Sequence, residues 1–294
     1  MNHRLRVGLV GAGPQATFIH GPMLASGPET RLVGLWARQS KAAEALAHRL
    51  GCHAYPSFEA LLAEVDAVSF CVPPYVQAQL APKAAAAGKA LLLEKPLADS
   101  IEGARAIVEA VTAACVGSLV VFTARFAPEV RLWLAQAQSL DSAGGRSWFL
   151  SDSLMSGPFA ASPWRHRYGA LFDLGPHAID LIEAALGPVE VVHASQMPGS
   201  GATIVLGHKS GAVSTVQVSG SVAGQPACGV EIFGEFGQSR IDTMNVDWST
   251  VFQTLRAEFA SVARGEPHAC DAVRGLVVQE LLMASADAIT AAKE

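Results

Sequence analysis

Residues 4–16 read Arg-Leu-Arg-Val-Gly-Leu-Val-Gly-Ala-Gly-Pro-Gln-Ala. Arg4–Val10 is an apolar, β-prone run. Gly11-Ala12-Gly13-Pro14-Gln15-Ala16 then spells GxGxxA, and a helical pattern follows over Ala16–Ala25. Strand, glycine-rich turn, helix is the context in which this fingerprint cradles the pyrophosphate of a dinucleotide. Gly11 makes the tight turn, Gly13 lets the backbone approach the phosphates, and the small Ala16 lets helix and strand pack closely. Pro14 and Gln15 complete the loop and join these three as candidate coenzyme contacts, with the helix N-terminus favouring phosphate charge. The alternative is an ordinary glycine-rich strand-to-helix turn. His20 reads as a packing or hydrogen-bonded histidine.

Outward from this stretch, strands alternate with helices. The second strand, Thr30–Trp36, runs into Ala37-Arg38-Gln39-Ser40-Lys41. An NAD site places a carboxylate there for the ribose 2′-hydroxyl. Here Arg38 can stack on adenine and pair with a 2′-phosphate, and Ser40 adds a donor. The reading is NADP(H), with NAD(H) as the other coenzyme; an exposed basic loop is the alternative. The pattern predicts a helix over Lys41–Leu50, a short strand at 52–55, a helix over Phe58–Glu64 and a strand over Val65–Val72 closed by Pro73-Pro74. Pro73 belongs to a loop able to pass the nicotinamide side of a coenzyme. A helix over Gln77–Gly88 follows.

The fifth strand carries the second signal. Ala90–Leu97 reads Ala-Leu-Leu-Leu-Glu-Lys-Pro-Leu. Three leucines in succession suit a strand buried on both faces, and Pro96 forces the chain out of the sheet. Lys95 therefore stands at the carboxyl end of a buried strand, where open α/β sheets hold their ligands. Either it reaches water, or it is a partly desolvated ammonium serving a reacting oxygen. A helix over Ser100–Cys115 and a strand over Leu119–Phe126 complete a doubly wound parallel sheet, residues 1–122.

Beyond that point the periodicity changes. A helix over Ala127–Gln138 precedes a strand over Arg146–Leu154, with Gly144-Gly145 as the turn before it. Val189–Met197, Ala202–His208, Ala212–Ser219, Gly229–Phe236 and Gln238–Asp242 are strands joined by short turns, which means a largely antiparallel sheet. Its mixed alternation fits one face on helices and the other exposed or used by a partner subunit. Helices over Phe252–Arg264 and Ala272–Ala292 close an α+β domain of residues 123–294. Within it lies Ser162-Pro-Trp-Arg165, then Leu171-Phe-Asp173-Leu-Gly-Pro-His177-Ala-Ile-Asp180. Gly175-Pro176 starts a helix with His177 in its first turn and Asp180 on the same face. A helix N-terminus disfavours imidazolium, so His177 can act as a neutral base. Equally, Asp173 can be an N-cap and His177 a buried histidine bonded to Asp180.

Composition excludes several classes. The net charge is −5 with no Lys/Arg run, which argues against nucleic acid. No apolar run approaches the ~18 residues of a membrane span. The N-terminus shows no signal-peptide h-region, and the five scattered cysteines include no CxxC pair, suiting a reduced cytoplasm. The nine histidines lack metal-ligand spacing, so no metal is expected.

Together, GxGxxA, Glu94-Lys95-Pro96, the Phe126-Ala-Pro128 element, Trp164-Arg165 and Asp-Leu-Gly-Pro-His-Ala-Ile-Asp (173–180) resemble the glucose–fructose oxidoreductase/inositol dehydrogenase (Gfo/Idh/MocA) family over nearly the whole chain. The resemblance implies a Rossmann domain and a C-terminal domain whose open sheet joins copies into a homodimer or homotetramer. It also implies hydride transfer between NAD(P) and a hydroxyl carbon of a sugar, polyol or related small molecule. Carried over, Lys95 is the catalytic lysine, on a Lys95–Pro96 bond expected to be cis. Glu94 positions it, His177 is the acid/base group and Asp173 orients it. Gln77 stands where the family usually has His; it can hydrogen-bond but cannot relay a proton. The loop 166–170 is short, and Arg165 with its neighbours to Tyr168 reads either as a binder of a substrate carboxylate or phosphate or as a solvated loop. Two other activities fit the same fold: a coenzyme-binding sensor without chemistry, and a redox-neutral enzyme that retains its nucleotide.

Overall fold

The structure is a computed structural model and describes residues 4–137 and 140–293. It divides into two compact units, Met1–Val121 with Phe252–Val277, and Phe122–Val251 with Val278–Glu294. The sequence division at 122/123 assigns everything beyond it to one domain, whereas Phe252–Val277 clusters with the first unit. Among the described residues no helix is long and apolar enough to cross a membrane.

In the first unit, β1 (Leu5–Val10) leads through a π-helical turn, Ala16–His20, into α1 (Gly21–Ala25). Then come β2 (Thr30–Trp36), α2 (Ser40–Leu50), β3 (His53–Ala54), α3 (Phe58–Ala63), β4 (Ala67–Phe70), α4 (Pro74–Ala86), β5 (Ala90–Leu93), α5 (Ile101–Ala114) and β6 (Ser118–Val120). The sheet order is β3-β2-β1-β4-β5-β6, all parallel. Every residue of β4 and β5 is buried, which is why they read as unbroken apolar runs. Ser57 and Ser100 cap α3 and α5 by accepting from the N–H groups of Ala60 and Gly103, supplying partners that the helices lack. The order reverses between β1 and β4, the point where such sheets open a crevice at their carboxyl edge. The expected strand Leu119–Phe126 stops early: β6 ends at Val120 and Thr123–Phe126 is a 3-10 turn, from which Arg125 bonds Asp180.

The second unit contains α6 (Pro128–Ala137), β7 (Ser142–Leu150), α7 (Pro163–Asp173), α8 (Gly175–Leu186), β8 (Val189–Gln196), β9 (Ala202–His208), β10 (Val213–Ser219), β11 (Ala227–Gly234) and β12 (Gly237–Asp242). Two further helices, α9 (Trp248–Val262) and α10 (Ala272–Ala291), follow. The last residue of the helix expected over Ala127–Gln138 lies outside the described residues. The sheet order is β12-β11-β7-β10-β9-β8; only β7 and β10 run parallel. Helix α8 packs on β7, β10 and β11, so Ser214, Val216 and Val218 are buried while Val213, Thr215 and Gln217 face outward. The open face carries Arg146 bonded to Glu231 at 2.8 Å, with Arg240 stacked on Trp148 at 4.6 Å.

One expectation needs correcting here. Gly144 and Gly145 are not a turn but lie inside β7, paired with Val213 and Ser214. A Cβ on Gly144 would come within 2.5 Å of the Val213 carbonyl, and one on Gly145 within 2.7 Å of the Glu231 carbonyl and 3.0 Å of Ile182. The glycines permit close approach of neighbouring chains, a use of strand glycine that periodicity alone does not separate from a turn.

Candidate active site

At the carboxyl edge of the first unit's sheet, Gly11 has φ +114°, and a Cβ there would sit 2.2 Å from the Cys71 carbonyl oxygen. Only glycine fits both the angle and the space. Gly13 is the opposite case: a Cβ would meet nothing within 4 Å. That open position beside a backbone loop is what a pyrophosphate approaching the main chain requires, so the loop fits a dinucleotide. Ala16 is fully buried, as close helix packing demands. Arg38 and Ser40 are exposed at the end of β2 and the start of α2, and the first turn of α2 has no acidic residue. Pro73 precedes α4 as its N-cap residue, next to the Cys71 carbonyl that confronts Gly11.

The turn after β5 is tied on all sides. The Lys95–Pro96 bond is cis, and Glu94 and Lys95 are both buried, Lys95 at 8% exposure. One Glu94 carboxylate oxygen accepts from Gln15 Nε2 at 3.2 Å and lies 2.9 Å from His20 Nε2; the other accepts the Lys95 backbone N–H at 3.2 Å. The Nδ1 of His20 is 2.8 Å from Ser69 Oγ. His20 is therefore the hydrogen-bonded histidine that the sequence suggested, but its partners come from β4 and the end of β5 and were not legible. Burial pushes the neighbouring Cys71 thiol well up, with the Glu94 charge adding to it. Cys71 is thus inert as a nucleophile.

The second unit holds the other predicted residues. Helix α7 is broken at Gly169 (φ +70°), which folds its end back so that Arg165 Nε donates to Asp173 Oδ1 at 3.0 Å. Both side chains are buried, and the Arg165 guanidinium lies over the rings of Trp164 at 4.7 Å and Phe159 at 4.8 Å. The N-cap alternative for Asp173 does not hold: Leu174 occupies the cap position of α8, and the Asp173 carboxylate turns to Arg165. His177 is in the first turn of α8, half-buried, its ring 5.8 Å from that of Phe149. One turn on, both carboxylate oxygens of Asp180 accept from Arg125 Nη1 at 3.1 Å. The expected loop 166–170 is instead part of α7, broken at Gly169; Arg165 is a buried ion-pair partner, whereas Arg167 stacks on Tyr168 at the surface.

Within the first unit, Gln15, Glu94 and the Lys95 backbone thus form one bonded group. Within the second, Arg165, Asp173 and His177 stand on two consecutive helices. Two residues escaped the sequence reading, Ser69 and Arg125; Gln77 was read as able to hydrogen-bond, but its partners at Glu94 and Leu97 were not legible.

The chain matches the oxidoreductase family with an NAD-binding Rossmann fold over residues 5–120 and the Gfo/Idh/MocA C-terminal domain over residues 143–240. It is 31% identical over 195 residues to inositol 2-dehydrogenase of Rhizobium meliloti, covering 64% of this chain and 57% of that protein. It is also 31% identical over 248 residues to dTDP-3,4-didehydro-2,6-dideoxy-alpha-D-glucose 3-reductase of Streptomyces violaceoruber, covering 81% and 68% of the two chains. The chain thus spans little more than half the length of the first relative. The solved structure of UDP-N-acetylglucosamine 3-dehydrogenase from Acidithiobacillus ferrooxidans superposes with a TM-score of 0.86 at 24% identity, covering 98% of this chain and 99% of that one; at that identity the likeness speaks to the fold.

Proposed function

The chain belongs to the Gfo/Idh/MocA family of NAD-binding oxidoreductases, and from that premise we propose that it is a cytoplasmic dehydrogenase or reductase. It uses NADP(H) in preference to NAD(H) and acts on a hydroxyl or carbonyl carbon of a sugar, polyol or related small molecule. The observation that carries this reading is the Glu94 carboxylate, bonded at once to Gln15 of the glycine-rich loop and to the backbone N–H of Lys95. The loop that fits the coenzyme and the candidate catalytic lysine are one connected piece.

Gly11, Gly13, Pro14, Gln15, Ala16 and Pro73 hold the coenzyme, and Arg38 and Ser40 take the 2′-phosphate. A bound nicotinamide supplies the hydride-transfer chemistry. Lys95 stabilises the oxygen that becomes alkoxide-like. His177 takes the hydroxyl proton during oxidation and returns it during reduction. Asp173, held by Arg165, keeps the start of α8 in place and orients His177, and Arg165 borders the substrate. The sugar-acting relatives support this substrate class. The open face of the second unit's sheet, with Val191, Val213 and Phe233 exposed on it, is the contact between copies in a homodimer or homotetramer.

Titration with NADPH and NADH, followed by nicotinamide fluorescence, tests the coenzyme assignment. NADPH should bind about tenfold or more tightly, and Arg38→Ala should remove most of that preference; tighter NADH binding would refute it. A screen of sugars, polyols and nucleotide sugars with NADP+ then supplies the turnover assay. Lys95→Met should lower kcat by roughly 10²-fold or more while coenzyme binding survives. Unchanged turnover removes Lys95 from the chemistry.

A further inference from the structure

Gln77 has no exposed surface, and its carboxamide is spent on one short piece of backbone. Its Nε2 donates to the Glu94 carbonyl at 2.7 Å and to the Leu97 carbonyl at 2.9 Å, while its Oε1 accepts the Glu94 N–H at 2.9 Å. These partners bracket Lys95 and Pro96, so a single side chain on α4 closes a ring around that pair. A primary carboxamide offers two donors and an acceptor on adjacent atoms; a carboxylate offers acceptors alone and a thioether almost nothing. The chain has just left the sheet here, since β5 ends at Leu93, and Pro96 has no N–H to give. Removing the amide strands a buried donor and two buried acceptors.

We propose that Gln77 is the positioning residue for Lys95: its carboxamide latches the 94–97 turn and thereby sets where the lysine ammonium stands at the end of β5. The Glu94 carboxylate, held by His20 and Gln15, fixes the same turn from the other side. The proposal rests on the reading of Lys95 as the group that serves the reacting oxygen, but the latch itself is measurable without any turnover.

Trace acetylation of the whole chain with acetic anhydride at a series of pH values, read by mass spectrometry, reports the reactivity and titration midpoint of each lysine separately. Hydrogen exchange over residues 92–97 reports the latch directly through the Glu94 N–H. In Gln77→Met, which keeps length but bonds nothing, Lys95 should acetylate about tenfold faster or more, and the Glu94 amide should exchange faster by a similar factor. Lys89 and Lys209 should keep their rates, which a general loosening of the fold would not allow. If Gln77→Met does not accumulate folded, Gln77→Glu carries the same reading, since it keeps the shape and the acceptor for Glu94 and loses both donors. Wild-type labelling and exchange in either folded variant would overturn the latch and leave the chemistry of Lys95 standing. The converse result, altered labelling and exchange alongside normal turnover by Lys95→Met, would keep the latch and overturn the chemistry.

Discussion

Asp180→Ala should be among the most damaging single changes in the second unit, although it alters no proposed catalytic residue. The Asp180 carboxylate is 1% exposed, and both its oxygens accept from Arg125, itself 16% exposed. Truncating one member of such a pair leaves the other charge without compensation in a poorly solvated place, which costs about 3–5 kcal/mol. Arg125 keeps some access to water, which puts the expected loss near the lower end, about 3 kcal/mol. With a urea slope of roughly 2 kcal/mol/M, the unfolding midpoint should fall by about 1.5 M. Tryptophan fluorescence is the suitable probe, because Trp133, Trp148, Trp164 and Trp248 lie in the second unit and only Trp36 in the first. Replacing both members, Arg125→Met with Asp180→Leu, removes the stranded charge and should recover most of the loss. A midpoint shift under about 0.3 M for Asp180→Ala, or a double variant no better than the single one, would refute the buried-pair reasoning.

Two glycines three residues or fewer apart should separate folding from binding. Gly11→Ala forces a side chain against the Cys71 carbonyl at a positive φ and should destabilise the first unit by about 3 kcal/mol, whereas Gly13→Ala has open space. The latter should leave the melting temperature within a degree or two yet weaken coenzyme binding roughly tenfold or more, read by thermal unfolding and fluorescence titration side by side. A third expectation concerns acid. Burial raises the Glu29 carboxyl, but the bonds from Arg256 and from its own backbone, with the Arg256 charge, outweigh that and leave it below the ordinary carboxylate value. The native state therefore binds this proton less readily than the unfolded chain. The contribution, at most about 1 kcal/mol for a side chain 31% exposed, is full above roughly pH 5 and is lost as pH falls through the depressed value. Glu29→Gln should accordingly lower the urea midpoint at neutral pH and converge with the wild type in strong acid; a gap that persists in acid would mean that the ion pair is not its source.

The first unit was legible because its strands are buried on both faces, so Ala67–Phe70 and Ala90–Leu93 announce themselves as apolar runs between helical patterns. The glycine-rich loop was legible through its spacing: Gly11 is dictated by local geometry, and Gly13 by the room a pyrophosphate needs beside the backbone. What stayed hidden depends on residues far apart in sequence. Gly144 and Gly145 look like a turn until β10 and β11 are laid beside them. Asp173 looks like a cap until the break at Gly169 returns Arg165 to it. Likewise, nothing near Gln77 says that its amide serves residues 94–97, and nothing near Arg125 points to Asp180. Polar side chains engaged in long-range bonds carry no periodicity, and periodicity is what a single sequence displays.

The order in which the chain leaves the ribosome meets an obstacle in this topology. β7 is the first strand of its sheet to be made but lies inside it, between β10 and β11. It stays unpaired until residues 213–234 have been synthesised, with apolar surface and open backbone groups on both edges. The first unit waits longer still. Its six strands are complete by Val120, yet the Val120 N–H is satisfied by the Cys270 carbonyl and Gly117 packs against the Val262 backbone. The half of the protein that begins first therefore closes only once Phe252–Val277 has been made, and a chain truncated before Phe252 would release a nucleotide-binding sheet that has never been closed.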